Sequence, residues 1–146
     1  MVFFAVAVFL VVTLPGQTLF TTDDNIGAIT ARKAALPSVM WDSWKSSPLL
    51  GYPVVVPMNW TNTLISILSP EAFTDWVHAI DLTLASIFFA LFLRLRGVRW
   101  GAVVLGVLAG FWFGANFTLT YAGHIGKFGL LMFASGYLWM VECMVR

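Results

Sequence analysis

The sequence predicts an all-α membrane fold: about four transmembrane helices, with a long outer loop bearing short interfacial helices after the first span. Three observations carry this. Of the 146 residues, 60% are hydrophobic and only 10% charged, whereas soluble domains carry roughly a quarter charged residues. The mean hydropathy is +0.87, and a chain so apolar would expose large greasy patches in water. The apolar residues also gather in runs, at about 2–15, 76–93, 100–120 and 128–144, with one long mixed stretch, 16–75, between the first two. The whole of 1–146 reads as a single membrane domain.

The first run, Val2–Leu14, is rich in β-branched and aromatic residues. It has neither helical nor strand periodicity. In lipid it is still expected to be a helix, because every backbone polar group must be satisfied within the segment. Pro15-Gly16 ends it. The stretch that follows holds every proline except Pro15, and every acidic residue except Asp81 and Glu142. Asp24 or Asn25 is placed to cap a short helix running to about Leu36, with Ile26, Ile29 and Leu36 on its apolar side and Arg32-Lys33 on its polar side. Pro37 stops it. A turn-rich aromatic segment, Trp41–Pro53, comes next, and Met58–Leu68 suits a second interfacial helix before Ser69-Pro70.

Trp76 marks the outer boundary of the second span as an interface aromatic. The third span carries Gly101, Gly106, Gly110 and Gly114, a small-xxx-small pattern that predicts close helix approach along that face. Glu142 and Arg146 stand four apart at the end of the last span and are expected to pair. Val2–Leu14 is short against the roughly 20 residues of a full crossing, and the chain stops just after an apolar run. Both features predict the N-terminal part of a larger polytopic protein.

Arg94, Arg96 and Arg99 crowd one short turn, which places that turn on the cytoplasmic side. The long loop and the turn Tyr121–Lys127 (YAGHIGK) then share the opposite, non-cytoplasmic face. The net charge of +1 supplies no field to draw nucleic acid. The single cysteine, Cys143, excludes an internal disulfide and is expected to be a small buried apolar group.

The chemistry-bearing residues gather on that outer face. Asp23 and Asp24 follow directly on the first apolar run. One reading is structural, a carboxylate capping the loop helix. The other is a general base or a divalent-cation ligand, since adjacent like charges push one carboxyl toward proton uptake. His78 and Asp81, three apart on the second span, are either a buried pair that orients the bundle or a site within reach of water. His124 and Lys127 lie in a turn between Gly123 and Gly126, where the backbone can approach a ligand such as a lipid phosphate. Arg32 adds a further cation. Gly126-Lys127 lacks the earlier glycine and the following Ser or Thr of a phosphate loop, which excludes that motif.

The order of these features resembles the YfhO-like membrane proteins, among the GT-C-type glycosyltransferases that use polyprenyl-phosphate sugars. The matching stretches are Thr22-Asp23-Asp24-Asn25, Trp41–Pro53 (WDSWKSSPLLGYP), His78–Arg99 and Tyr121-Ala122-Gly123-His124. The resemblance covers most of this chain but only the first part of such a protein. It implies a membrane glycosyltransferase module of the bacterial inner membrane, taking sugar from a polyprenyl-phosphate donor at the outer face. Asp23 or Asp24 would be the catalytic base or metal-linked acid. Arg32, His124, Lys127, His78 and Asp81 would bind substrate and lipid phosphate, with a divalent cation as the possible cofactor and membrane lipid and other helices as neighbours. A non-catalytic accessory or scaffold subunit, or a transporter fragment, is the alternative that the small size and the glycine-lined third span would suit.

Overall fold

A computed structural model of the chain describes residues 22–36, 44–45, 52–53, 59–112, 116, 120 and 122–146. The expected first span, most of the aromatic segment 41–53, Gly114 and Tyr121 lie outside the described residues. The architecture is all-helical: α1 (Ile26–Ala34), α2 (Trp60–Ile67), α3 (Pro70–Leu95), α4 (Trp100–Phe111) and α5 (Ile125–Val145). A two-residue antiparallel ladder, β1 (Trp44–Lys45) against β2 (Tyr52–Pro53), pairs Trp44 with Pro53 and Lys45 with Tyr52.

Three of the helices, α1, α2 and α3, start where a side chain satisfies a free N–H group. Asn25 Oδ1 accepts from the Ala28 N–H at 3.0 Å, so Asn25, not an aspartate, caps α1. Asn59 Oδ1 accepts from the Asn62 N–H at 2.7 Å and opens α2. Ser69 Oγ accepts from Ala72 N–H at 3.2 Å, with Pro70 as the first residue of α3, the position where a proline costs no hydrogen bond. The Ser69-Pro70 break therefore ends one helix and begins the next, and α3 starts six residues before Trp76. Lys33 Nζ donates to the Leu68 carbonyl and ties α1 to the end of α2.

The 26 residues of α3 reach about 39 Å, and the 21 of α5 about 31 Å. Both are long and apolar enough to cross a membrane. A soluble core helix would bury most of its apolar stretch, yet only 39% of that window in α3 and 17% in α5 is buried. Ile87, Leu91, Leu130, Phe133, Tyr137 and Met140 all face outward, as lipid-facing side chains do.

α3 closes at Gly97, whose φ of +81° only glycine adopts readily. The Val98 N–H bonds back to the Leu93 carbonyl and the Gly97 N–H to the Arg94 carbonyl, both at 3.0 Å, the paired bonds of a Schellman ending. α4 then returns antiparallel to α3: Gly106 faces Leu93, Phe111 meets Phe89 edge-on, and Trp112 reaches Ser86. α5 runs in the same sense as α3, since His78 meets Phe128, Phe88 stacks on Trp139, and Arg96 pairs with Glu142. One apolar cluster, with Leu82, Ala85, Val103, Val107, Phe128 and Met132, fills the space among these three helices. A second, with Ile29, Ile65, Phe73, Val77 and Ile125, seats α1 and α2 on the beginnings of α3 and α5.

Three expectations are revised. The third span was expected over 100–120, but α4 is continuous for only 12 residues, about 18 Å and short of a hydrocarbon core. Trp112 leaves helical geometry (φ −111°, ψ 34°) while its indole N–H donates to Ser86 Oγ at 2.8 Å. Asn116 Nδ2 donates to the Phe111 carbonyl at 2.8 Å and satisfies the end of the helix. Secondly, the predicted glycine face is used only in part: a Cβ on Gly106 would stand 3.5 Å from Leu93 Cδ1, and Gly114 lies outside the described residues. A Cβ on Gly101 or Gly110 would meet nothing within 4 Å, whereas on Gly136 of α5 it would touch the Phe88 ring at 3.4 Å. Finally, Cys143 is exposed, not buried. Replacing Asn116 by alanine is expected to lower stability by about 1–3 kcal/mol, because a buried carbonyl loses its donor. An unfolding midpoint equal to that of the unmodified protein would refute this account of where α4 ends.

Candidate functional site

The first described residues, Thr22 and Asp23, meet the chain just before α5. Thr22 Oγ1 and the Asp23 N–H both donate to the Ala122 carbonyl, at 3.0 and 3.3 Å. Gly123 makes the turn possible with a φ of +78°. The Ile125 N–H bonds to the Gly123 carbonyl at 2.9 Å, which sets His124 at the head of α5. There its Nδ1 lies 3.3 Å from Asp23 Oδ2. At this distance the two groups form an ion pair when the imidazole is protonated. The carboxylate of Asp23 is 62% exposed and the imidazole 36%, so the pair is open to a ligand and contributes about 0–1 kcal/mol to stability.

The capping role falls to neither of the adjacent aspartates. Asn25 takes the cap, and Asp23 turns to the imidazole. Asp24 is half-buried beside it. Lys127 is exposed one turn into α5. Arg32 lies in the last turn of α1, about 10 Å along that helix from its Asn25 cap. The corner of Asp23 and His124 lies at the head of α5, while Arg94, Arg96 and Arg146 lie at the far ends of α3 and α5. About 30 Å of helix separates the two groups.

His78 and Asp81 do not join this corner at the surface. Both are buried, each 1% exposed, because α2 and the start of α5 close over them. Asp81 Oδ1 accepts from the Trp60 indole N–H at 2.8 Å, which fastens α2 to α3. Gly129 lets α5 pass close, as a Cβ there would stand 3.9 Å from Asp81 Oδ2. His78 presents its ring to Phe128, centroids 4.7 Å apart and nearly perpendicular, and neither ring nitrogen has a hydrogen-bond partner among the described residues. The pair is thus part of the interior, out of reach of bulk water. Trp60 is the partner that sequence reasoning did not name. The available signal was a carboxylate in an apolar run, which requires a donor, near an indole that requires an acceptor.

Among the described residues no three of His, Cys, Asp and Glu stand together as metal ligands. Asp23 and His124 supply two donors, fewer than a hard divalent cation takes from a dedicated protein site. What the corner offers chemically is an exposed carboxylate beside a partly exposed imidazole, with a lysine one turn away.

No family model matches the chain, and neither a curated protein nor a solved structure matches it.

Proposed function

We propose that this chain is a membrane module of a GT-C-like glycosyltransferase, resembling the YfhO-like proteins, that transfers sugar from a polyprenyl-phosphate donor at the non-cytoplasmic face of a bacterial inner membrane. The observation that carries the proposal is the Asp23–His124 contact, 3.3 Å between two residues 101 positions apart. It joins the early acidic motif to the YAGHIGK turn, two of the stretches on which the resemblance rests. In this reading an acceptor hydroxyl gives its proton to the Asp23–His124 pair as its oxygen attacks the anomeric carbon. The bond from that carbon to the phosphate oxygen breaks, and polyprenyl phosphate leaves with the electron pair. Lys127, one turn along α5, and Arg32 supply cations for the phosphate. The Arg94–Arg99 turn then faces the cytoplasm. If a divalent cation takes part, Asp23 and Asp24 are its protein ligands.

The test is sugar transfer by the natural full-length protein in vesicles loaded with radiolabelled polyprenyl-phosphate sugar. Transfer above protein-free vesicles, abolished in the Asp23→Asn/Asp24→Asn variant, supports the proposal. Turnover unchanged in that variant would sink it. The second reading, a non-catalytic scaffold subunit, is favoured by the outward face of α5, where Leu130, Phe133, Tyr137 and Met144 are exposed and free to meet other helices. Absent transfer, together with stable co-purification of another membrane protein that Phe133→Ala disrupts, would favour it instead.

A further inference from the structure

The opposite end of the bundle carries a second set of groups that the proposed transfer does not use. Arg94, Arg96 and Arg99 are all exposed in and beside the turn between α3 and α4. Arg146 joins them from the end of α5, because Glu142 bridges the two sets: its Oε1 is 2.9 Å from Arg146 Nε and its Oε2 3.4 Å from Arg96 Nη1. Four guanidinium groups thus meet at one end with a single carboxylate among the described residues there. Glu142 is the more enclosed partner, its side chain 13% exposed against 61% for Arg96 and 52% for Arg146. The carboxylate therefore holds the arginines from within, and the cationic surface points outward.

We propose that this end binds the headgroup of an anionic phospholipid. The chemistry of the surroundings selects that occupant. The Arg94 guanidinium lies over the Trp100 ring, 4.7 Å from its centroid, and its Nη1 donates to the Val98 carbonyl at 2.8 Å. The arginine is thus held in place with its other N–H groups available. Trp100 is itself 61% exposed, the placement of an indole at the boundary between headgroups and acyl chains. Immediately along the helices from the arginines, Leu91, Leu105, Leu138 and Met144 are exposed. A partner here must present an anion at the turn and apolar chains beside the helices. Free phosphate or nucleic acid offers only the first. A phosphatidylglycerol-type lipid offers both, and basic clusters flanking membrane helices attract such lipids. The inference depends on α3 and α5 residing in a bilayer and is independent of the transferase reading.

The probe is phosphatidylglycerol mixed as a minor component into phosphatidylcholine nanodiscs, with lipid retained by the extracted full-length protein counted by native mass spectrometry. Enrichment of phosphatidylglycerol over phosphatidylcholine is expected. It should weaken about fivefold for each arginine removed in Arg94→Gln/Arg99→Gln, a variant that leaves the Glu142 contacts intact. Arg94→Lys/Arg99→Lys, which keeps the charge, should recover much of it. In the unmodified protein, raising the ionic strength should lower the enrichment. Equal retention of the two lipids, or enrichment insensitive to both the Gln substitutions and salt, overturns the proposal.

Discussion

Under the proposed transferase function, Asp23→Asn is expected to slow sugar transfer by about a hundredfold or more, the scale on which a positioned proton acceptor works. His124→Gln should cost a similar factor. The informative variant is the double one. If the imidazole takes the proton and the carboxylate holds it in the right tautomer, the two act as a unit, and the double variant should be no slower than the worse single. A product of the two separate losses would mean that Asp23 and His124 work independently, and the 3.3 Å contact would then be a structural tie alone. The substitutions should leave the fold in place, since both groups are partly exposed and Thr22 still reaches the Ala122 carbonyl. An unaltered melting temperature in each variant is the accompanying check.

Phe128→Ala should destabilise the protein by about 3–5 kcal/mol, the range for emptying a large, closed site. Phe128 is 1% exposed. It sits in the cluster that joins α3, α4 and α5, and its ring is the surface against which His78 packs. Its removal would leave a void beside an imidazole that has no hydrogen-bond partner among the described residues. Water entering that void would solvate His78 but also loosen the seat of α2, so the loss should also speed proteolysis near Trp60. Leu130→Ala, two residues away but 68% exposed, should shift the melting temperature little. Similar shifts for the two would refute the packing account.

Where a local signal is strong, the sequence was sufficient. The signals around α1 and α2 are read from a few neighbours, and those two helices fall close to their expected bounds, whereas α3 begins six residues before the expected second span. The Glu142–Arg146 pair is one helical turn and follows from spacing. The failures are of another kind. α4 ends where Ser86 accepts a hydrogen bond from Trp112 across to α3 and Asn116, five residues on, donates back to the Phe111 carbonyl, which no run of apolar residues discloses. Glycines mark a permissive face without saying whether a helix uses it, and Gly136 is used while Gly101 and Gly110 are open. The candidate site was legible in its members but not in its pairing. Asp23, Asp24 and His124 stood out by chemistry; only the fold selects Asp23 as the neighbour of His124 and sends Asp81 to Trp60 instead.

The common direction of α3 and α5 has an electrical consequence. The peptide dipoles of two such helices add, with α4 opposing them only over its shorter length, and each contributes roughly half a positive charge at its first turn and half a negative at its last. Glu71 in the opening turn of α3 and the arginines at the closing turns complement that polarity. The bundle is therefore a battery-like rod whose positive pole lies toward Asp23 and His124. An anion placed at that end would meet a favourable potential confined to the opening turns of the two helices.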